Sequence, residues 1–132
     1  AASDVPLNRA VASSCSVPGI YPPVTINGRR YIDGGMRSAT NADLARGCDV
    51  ALVVAVSVNA PGPMSEIRER RLQGELDQVR ESGGRLELIR PDHASQEAFG
   101  LNLMDFRRRA GAAAAGYAQG KAEATRLAGF WD

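Results

Sequence analysis

The longest unbroken apolar run is Val50 to Val58, Val-Ala-Leu-Val-Val-Ala-Val-Ser-Val. It is β-branched and does not alternate, the pattern of a central strand covered on both faces of an α/β sheet. Asn59 to Pro63 breaks it. Met64, Ile67, Leu72, Leu76 and Val79 then recur mostly three to five apart and predict an amphipathic helix through about Glu81. Glu66, Arg68, Glu69, Arg70, Arg71, Glu75, Asp77 and Arg80 make its charged, solvated face, and Ser82-Gly83-Gly84 stops it. Arg85 to Arg90, with Leu86, Leu88 and Ile89, is a second, shorter strand near a sheet edge; Ala94 to Leu101 reads as a connector. From Asn102, the residues Leu103, Phe106, Ala110, Ala113, Tyr117, Ala124 and Leu127 keep helical spacing and predict a long terminal helix with a small-residue stripe, Gly116 and Gly120 included, for close packing on the sheet. Phe130 and Trp131 anchor its end.

The first third of the chain is organised differently. Ser3 or Asp4 caps a helix that runs to about Ser14, with Pro6 in its first turn and Leu7, Ala10 and Val11 on its apolar side. Pro18-Gly19 ends this region, and Pro22-Pro23 forces an extended segment. Val24 to Ile26 and Arg29 to Asp33 flank Asn27-Gly28, a pair suited to a type I′ hairpin turn because both positions need positive φ. The return strand leads into Asp33-Gly34-Gly35, a carboxylate followed by two residues that let another group come close. Taken alone, Asp-Gly-Gly is also an ordinary turn in which the aspartate bonds its own downstream amides. Met36 to Thr40 connects onward, and Asn41 caps a short helix, Ala42 to Arg46, closed by Gly47.

Three stretches read together carry a family resemblance: Arg9 to Pro23 (RAVASSCSVPGIYPP), Gly28 to Gly35 (GRRYIDGG) and Asn41 to Ala45 (NADLA). Their order resembles the C-terminal part of a patatin-like phospholipase. The resemblance implies an α/β fold in which residues 1–132 form the C-terminal part of a single three-layer α/β/α catalytic domain, with a mostly parallel central sheet and a β-hairpin leading to Asp33. It implies lipid acyl-ester hydrolysis by a Ser–Asp dyad, with Asp33 as the dyad aspartate, Gly34 and Gly35 as the backbone beside it, and Ile20 and Tyr21 at the acyl pocket. The family's serine sits in a Gly-x-Ser-x-Gly elbow, and its oxyanion loop lies further upstream. Neither motif occurs in these residues. The chain thus looks like the aspartate-bearing half of a hydrolase and is expected to be inactive by itself. The alternative is a non-catalytic lipid- or protein-binding domain that retains the fold.

Composition narrows the remaining classes. A net charge of +1 gives no electrostatic footprint for nucleic acid. Cys15 and Cys48 form neither a metal set nor a disulfide framework and are expected to be small buried hydrophobes. No metal and no cofactor is implied. His93, the sole histidine, follows Arg90-Pro91-Asp92 and is expected on a solvated loop, so no His-based triad is assigned. Ser13, Ser14, Ser16, Ser38 and Thr40 are the internal hydroxyls near the motif, and none sits on a Gly-flanked strand-to-helix elbow. The expected partners are a lipid acyl ester and either the N-terminal section of the same domain or a second copy of the chain. No run is long and apolar enough to span a bilayer, and no charged-then-apolar leader opens the chain, although Ala1 need not be the native N-terminus. A cytoplasmic location is expected, with peripheral membrane contact through Arg107–Arg109 or Trp131 left open.

Overall fold

The computed structural model describes residues 4–56, 63–102 and 105–131. Ser3, the end of the long apolar run at 57–58, most of its break at 59–62, and Leu103 lie outside them. The protein is mixed α/β with two small sheets, one antiparallel and one parallel. It divides into two compact units, Ala1–Asn41 and Ala42–Asp132, although no composition shift marks position 41.

The first unit holds α1 (Leu7–Ser14), β1 (Val24–Ile26), β2 (Arg29–Tyr31) and a single 3-10 turn, Gly34–Met36. Pro6, not Ser3 or Asp4, stands at the N-cap of α1, where no side chain caps the helix. Its missing N–H costs nothing there. The β1–β2 hairpin pairs Val24 with Tyr31 and Ile26 with Arg29. Asn27 at φ 48° and Gly28 at φ 74° give the type I′ geometry that matches the twist of the strands. The Arg9 guanidinium donates to the Thr25 carbonyl and ties α1 to β1. No residue of α1 is buried: Leu7 is 78% exposed and Val11 53%.

The second unit is built on a β-α-β core. Its strands are β3 (Val50–Val54) and β4 (Arg85–Ile89), paired in parallel from Val50–Arg85 to Val54–Ile89. They are joined through α2 (Pro63–Glu81). A parallel pair needs such a crossover, and the helix returns its apolar stripe to the sheet. Leu72 and Leu76 of α2 pack with Val53 and Ala55, and Leu86 and Leu88 of β4 complete the cluster. Leu76 and Val79 are fully buried. Gly83 stops α2 in the left-handed region, at φ 92°. The next residue, Gly84, passes so close to the Cys48 carbonyl that a Cβ there would sit 2.5 Å from its oxygen.

Several expectations are corrected. The cover of β3 is uneven: Ala51, Val53 and Ala55 are buried, Val50 and Leu52 on the other face are half-buried, and Val54 and Val56 stand exposed. One helix, α2, supplies cover, and it can shield one side of a pleat. Glu75, read as part of the solvated face of α2, is buried, and its carboxylate accepts from the Ala42 amide at 3.0 Å. Residues 94–101 are not a connector. Residues 94–99 belong to α3 (His93–Phe99), capped by Asp92, which accepts from the Ser95 amide at 2.7 Å. His93 is therefore helical, though exposed, and its Nδ1 lies 3.5 Å from Glu97. The terminal helix, α4 (Arg109–Arg126), follows a 3-10 turn at Phe106–Arg108 and buries no residue. Its small-residue stripe makes no close approach, since a Cβ on Gly116 or Gly120 would meet nothing within 4 Å. Polar bonds hold α4 instead. Gln119 accepts from Asp92 N and Ser95 Oγ and donates to the Arg90 carbonyl at 2.6 Å. Arg126 reaches Glu87 of β4 at 2.9 Å. Phe130 stacks edge-on with Trp131, 5.3 Å between ring centroids, and takes the Arg85 guanidinium over its face. Cys15 and Cys48 are free and exposed rather than buried.

Two predictions follow from this core. Leu76→Ala removes a side chain that is 1% exposed, and it should lower unfolding free energy by about 2–5 kcal/mol in urea titration. Acid should destabilise the protein through three carboxylates. The Ser95 amide holds Asp92 below the usual carboxylate range, the Arg107 guanidinium does the same for Asp105, and Arg90, then Gln73, for Glu69. Each folded-state value lies below the unfolded one, so their contribution is present above pH ~4 and disappears as pH falls through the folded values. Melting temperature measured from pH 7 downward should drop in that window, and less steeply in Asp92→Ala.

Candidate functional site

The site grows out of the hairpin. After Tyr31, β2 leaves its partner, and the Asp33 amide donates to the Ser16 carbonyl at 3.0 Å. That bond joins the strand end to the loop behind α1. Ser16 is itself buried, with its hydroxyl donating to the Ala12 carbonyl at 2.7 Å. The loop between is a tight turn: Ile20 N and Tyr21 N both donate to the Val17 carbonyl, around Pro18 and a left-handed Gly19 at φ 86°. Proline followed by a positive-φ glycine at the two central positions suits a type II turn. The turn leaves Ile20 and Tyr21 projecting into solvent, 70% and 59% exposed.

Asp33 stands at the N-cap of the Gly34–Met36 turn. Its Oδ1 accepts from Gly35 N at 2.7 Å, and its carbonyl accepts from Met36 N at 3.2 Å. Among the described residues of the first unit this amide is the sole hydrogen-bond donor to the carboxylate, and none of them reaches Oδ2. The residue is half-buried. Gly35 has a steric reason to be glycine, because a Cβ there would lie 2.9 Å from Asp33 Oδ1. Gly34 is under no such pressure: the nearest atom to its Cβ would be Asn41 Nδ2 at 4.0 Å.

Behind this turn lies a polar knot. Asn41, at φ 49°, sends Nδ2 to the carbonyls of Ser38 (2.8 Å) and Gly34 (3.3 Å), and its Oδ1 accepts from Arg37 Nη1 at 2.9 Å. Ser38 is buried, and its hydroxyl accepts from the amides of Thr40 and Asn41. Asn41 is thus no helix cap; its side chain turns back onto the Asp-Gly-Gly loop. Residues 42–45 form a 3-10 turn whose first amide is met by Glu75. Four of the five hydroxyls considered as nucleophiles have partners here: Ser13 donates to Ala10 O, Ser16 to Ala12 O, Ser38 accepts from the Thr40 and Asn41 amides, and Thr40 Oγ1 lies 3.4 Å from Ser38 Oγ.

Chemically, the arrangement offers one carboxylate oxygen fixed by a backbone N–H and one free to accept a proton. A free aspartate ionises near pH ~4 and is a weak base for a serine hydroxyl. It can act on one only when held in direct hydrogen-bond contact. Among the described residues no group of three or more His, Cys, Asp or Glu is placed to hold a metal. Two arginines of the basic run Arg107–Arg109 make local contacts. Arg107 is bidentate on Asp105 at 2.8 and 3.0 Å, and Arg108 is bonded to the Glu97 carbonyl. An open depression of about 500 Å³, lined by Ser65, Glu66, Glu69, Arg70, Gln73 and Arg90, belongs wholly to the second unit and includes none of the predicted site residues. No helix of the described residues is long and apolar enough to cross a membrane.

A hairpin-borne Asp-Gly-Gly turn behind a Ser-x-Pro-Gly loop defines the class: a carboxylate-presenting element of an α/β protein. Residues 1–46 match the family model for patatin-like phospholipase. The match takes in Ile20, Tyr21, Asp33, Gly34, Gly35 and Asn41, lies at the N-terminal end of the chain, and covers 46 of its 132 residues. No curated protein matches the chain significantly.

The two glycines should separate cleanly on substitution. Gly34→Ala should leave the Asp33 carboxylate in place. Gly35→Ala should swing it off the amide at a cost of no more than about 1 kcal/mol, since the obstructing atom is a side-chain oxygen free to rotate. A crystal structure of each variant, with urea unfolding, checks both statements.

Proposed function

We propose that this chain supplies the aspartate of a Ser–Asp dyad in a serine acyl hydrolase that cleaves lipid acyl esters. Asp33 is the base, and the serine and oxyanion donors come from a Gly-x-Ser-x-Gly elbow and glycine-rich loop outside these residues. The observation that carries the reading is the amide clamp on Asp33, with Oδ1 held by Gly35 N at 2.7 Å and Oδ2 open, inside the segment that matches the family model. Nucleophilic catalysis needs a base in direct reach whose geometry is already set, and this carboxylate meets the second requirement. Ile20 and Tyr21, exposed beside the Pro-Gly turn, fit contact with the acyl chain.

In this reading residues 1–132 are the C-terminal part of one three-layer α/β/α domain, and the N-terminal section is the principal partner. Exposed apolar side chains support it. Leu7 and Val11 on α1, and Val54 and Val56 on and after β3, stand in water, each at least half exposed. Large apolar groups gathered on single faces are normally covered in a finished protein. Self-association is the competing way to cover them.

Fluorophosphonate labelling with intact-mass analysis of the native preparation tests the function. The expected result is a label on a serine outside residues 1–132, in the same polypeptide or a companion one. Asp33→Asn should slow labelling at least ~100-fold. A single unlabelled species of 14.0 kDa would turn the assignment to the alternative, a non-catalytic lipid- or protein-binding domain.

A further inference from the structure

The geometry points to Asn41 as the positioning residue of the Asp33 carboxylate, acting through the peptide plane between Gly34 and Gly35. This rests on the reading of Asp33 as a catalytic base, and it adds a residue eight positions downstream. The Gly35 N–H that clamps Asp33 and the Gly34 carbonyl belong to one planar peptide group, so fixing the oxygen fixes the hydrogen. The plane is flanked by two glycines, whose backbone torsions are the least hindered of any residue. Left to itself, it would rotate cheaply and release the carboxylate. The Gly34 oxygen is held from behind by Asn41 Nδ2 at 3.3 Å and by the amides of Arg37 and Ser38 at 3.0 and 3.3 Å. Of these three donors Asn41 alone is a side chain.

Asn41 is itself held in place. Its second amide bond runs to the Ser38 carbonyl at 2.8 Å, its oxygen takes Arg37 Nη1 at 2.9 Å, and its backbone N–H bonds the buried Ser38 hydroxyl at 3.0 Å. Its φ of 49° is a conformation that asparagine adopts more readily than most residues. That backbone turn directs the side chain toward Gly34 rather than toward the turn that follows. The chain of dependence runs from Arg37 and Ser38 to Asn41, then to the Gly34–Gly35 plane, then to Asp33.

The Gly35 amide proton reports the clamp directly. In the ¹⁵N-labelled chain its resonance should move with pH as the bonded carboxylate ionises, and Asp33→Asn should abolish that movement. Asn41→Gly, which keeps the positive φ and removes the side chain, should shrink the displacement at least about twofold through release of the peptide plane. The hairpin resonances should stay in place, and melting temperature should hold within about 3 °C. Asn41→Asp keeps the acceptor for Arg37, loses both amide donors, and should give the same loss. A Gly35 displacement as large as wild type in both variants overturns the proposal, and so does a wild-type Gly35 proton that ignores pH. In the complete hydrolase, Asn41→Gly should lower kcat about 10- to 100-fold at unchanged KM, the signature of a displaced base rather than a lost substrate contact. The proton readout requires no serine. A weakened clamp in a preparation with no labelled nucleophile would therefore keep the positioning role and discard the hydrolase reading.

Discussion

A single backbone amide sets the orientation of the Asp33 carboxylate. Among the described residues of the first unit, the Gly35 N–H is the only donor that reaches the Asp33 side chain, and it fixes which carboxylate oxygen is occupied. The bond costs the protein a side chain at position 35, because any Cβ would crowd the same oxygen. The surrounding architecture serves to keep that amide in place. The type I′ hairpin brings β2 back at a set register, the Ser16 carbonyl catches the Asp33 amide, and Asn41 holds the far end of the peptide plane. A carboxylate on an untethered Asp-Gly-Gly turn would sample several orientations, and only some of them would accept a proton from a fixed direction.

The second unit depends on a different constraint, the burial of one stripe of α2 against one face of a parallel strand pair. Leu72, Leu76 and Val79 supply that stripe. The same helix carries Glu75 into the interior, where its carboxylate accepts from the Ala42 backbone amide. The bond joins positions 33 residues apart and fastens the 42–45 turn onto α2. The rest of the unit is attached chiefly by polar bonds, above all those of Gln119, which explains how α4 stays docked while burying none of its residues.

The local patterns were legible in the sequence wherever a residue type has one dominant use. Asn27-Gly28 specified its turn, the β-branched run specified β3, and the spacing of Leu72, Leu76 and Val79 specified α2. What escaped depends on direction or on distant partners. Asn41 reads as a helix cap because asparagine bonds backbone amides equally well on either side. Only its positive φ, invisible in the sequence, turns the side chain back toward Gly34. Glu75 reads as a solvated face residue because its partner is far away along the chain. The α3 helix did leave a local signal: Asp92 at the N-cap and Gly100 at the far end bracket seven residues. It was hidden by the short length of the apolar pattern between them. Asp33 is singled out as a candidate only through its neighbours, since Asp-Gly-Gly alone is indistinguishable from a simple turn.

The two units differ in how complete they are, and that difference bears on how the site works. The second unit closes a small core of its own around Leu76 and Val79. The first unit buries no part of α1 and presents Leu7, Val11, Ile20, Tyr21 and Met36 to water. Its order comes from hydrogen bonds at the hairpin, the Pro-Gly turn and the Asn41 knot, so the carboxylate is oriented by polar geometry before any apolar surface closes over it. That order of assembly suits a base that must meet a nucleophile contributed by another stretch of polypeptide. The approaching section need not build the carboxylate's orientation; it has only to bring a hydroxyl to the open oxygen and exclude water. Covering the exposed side chains would then provide the binding free energy for that encounter. In the proposed reading, pocket closure and dyad formation would be one event.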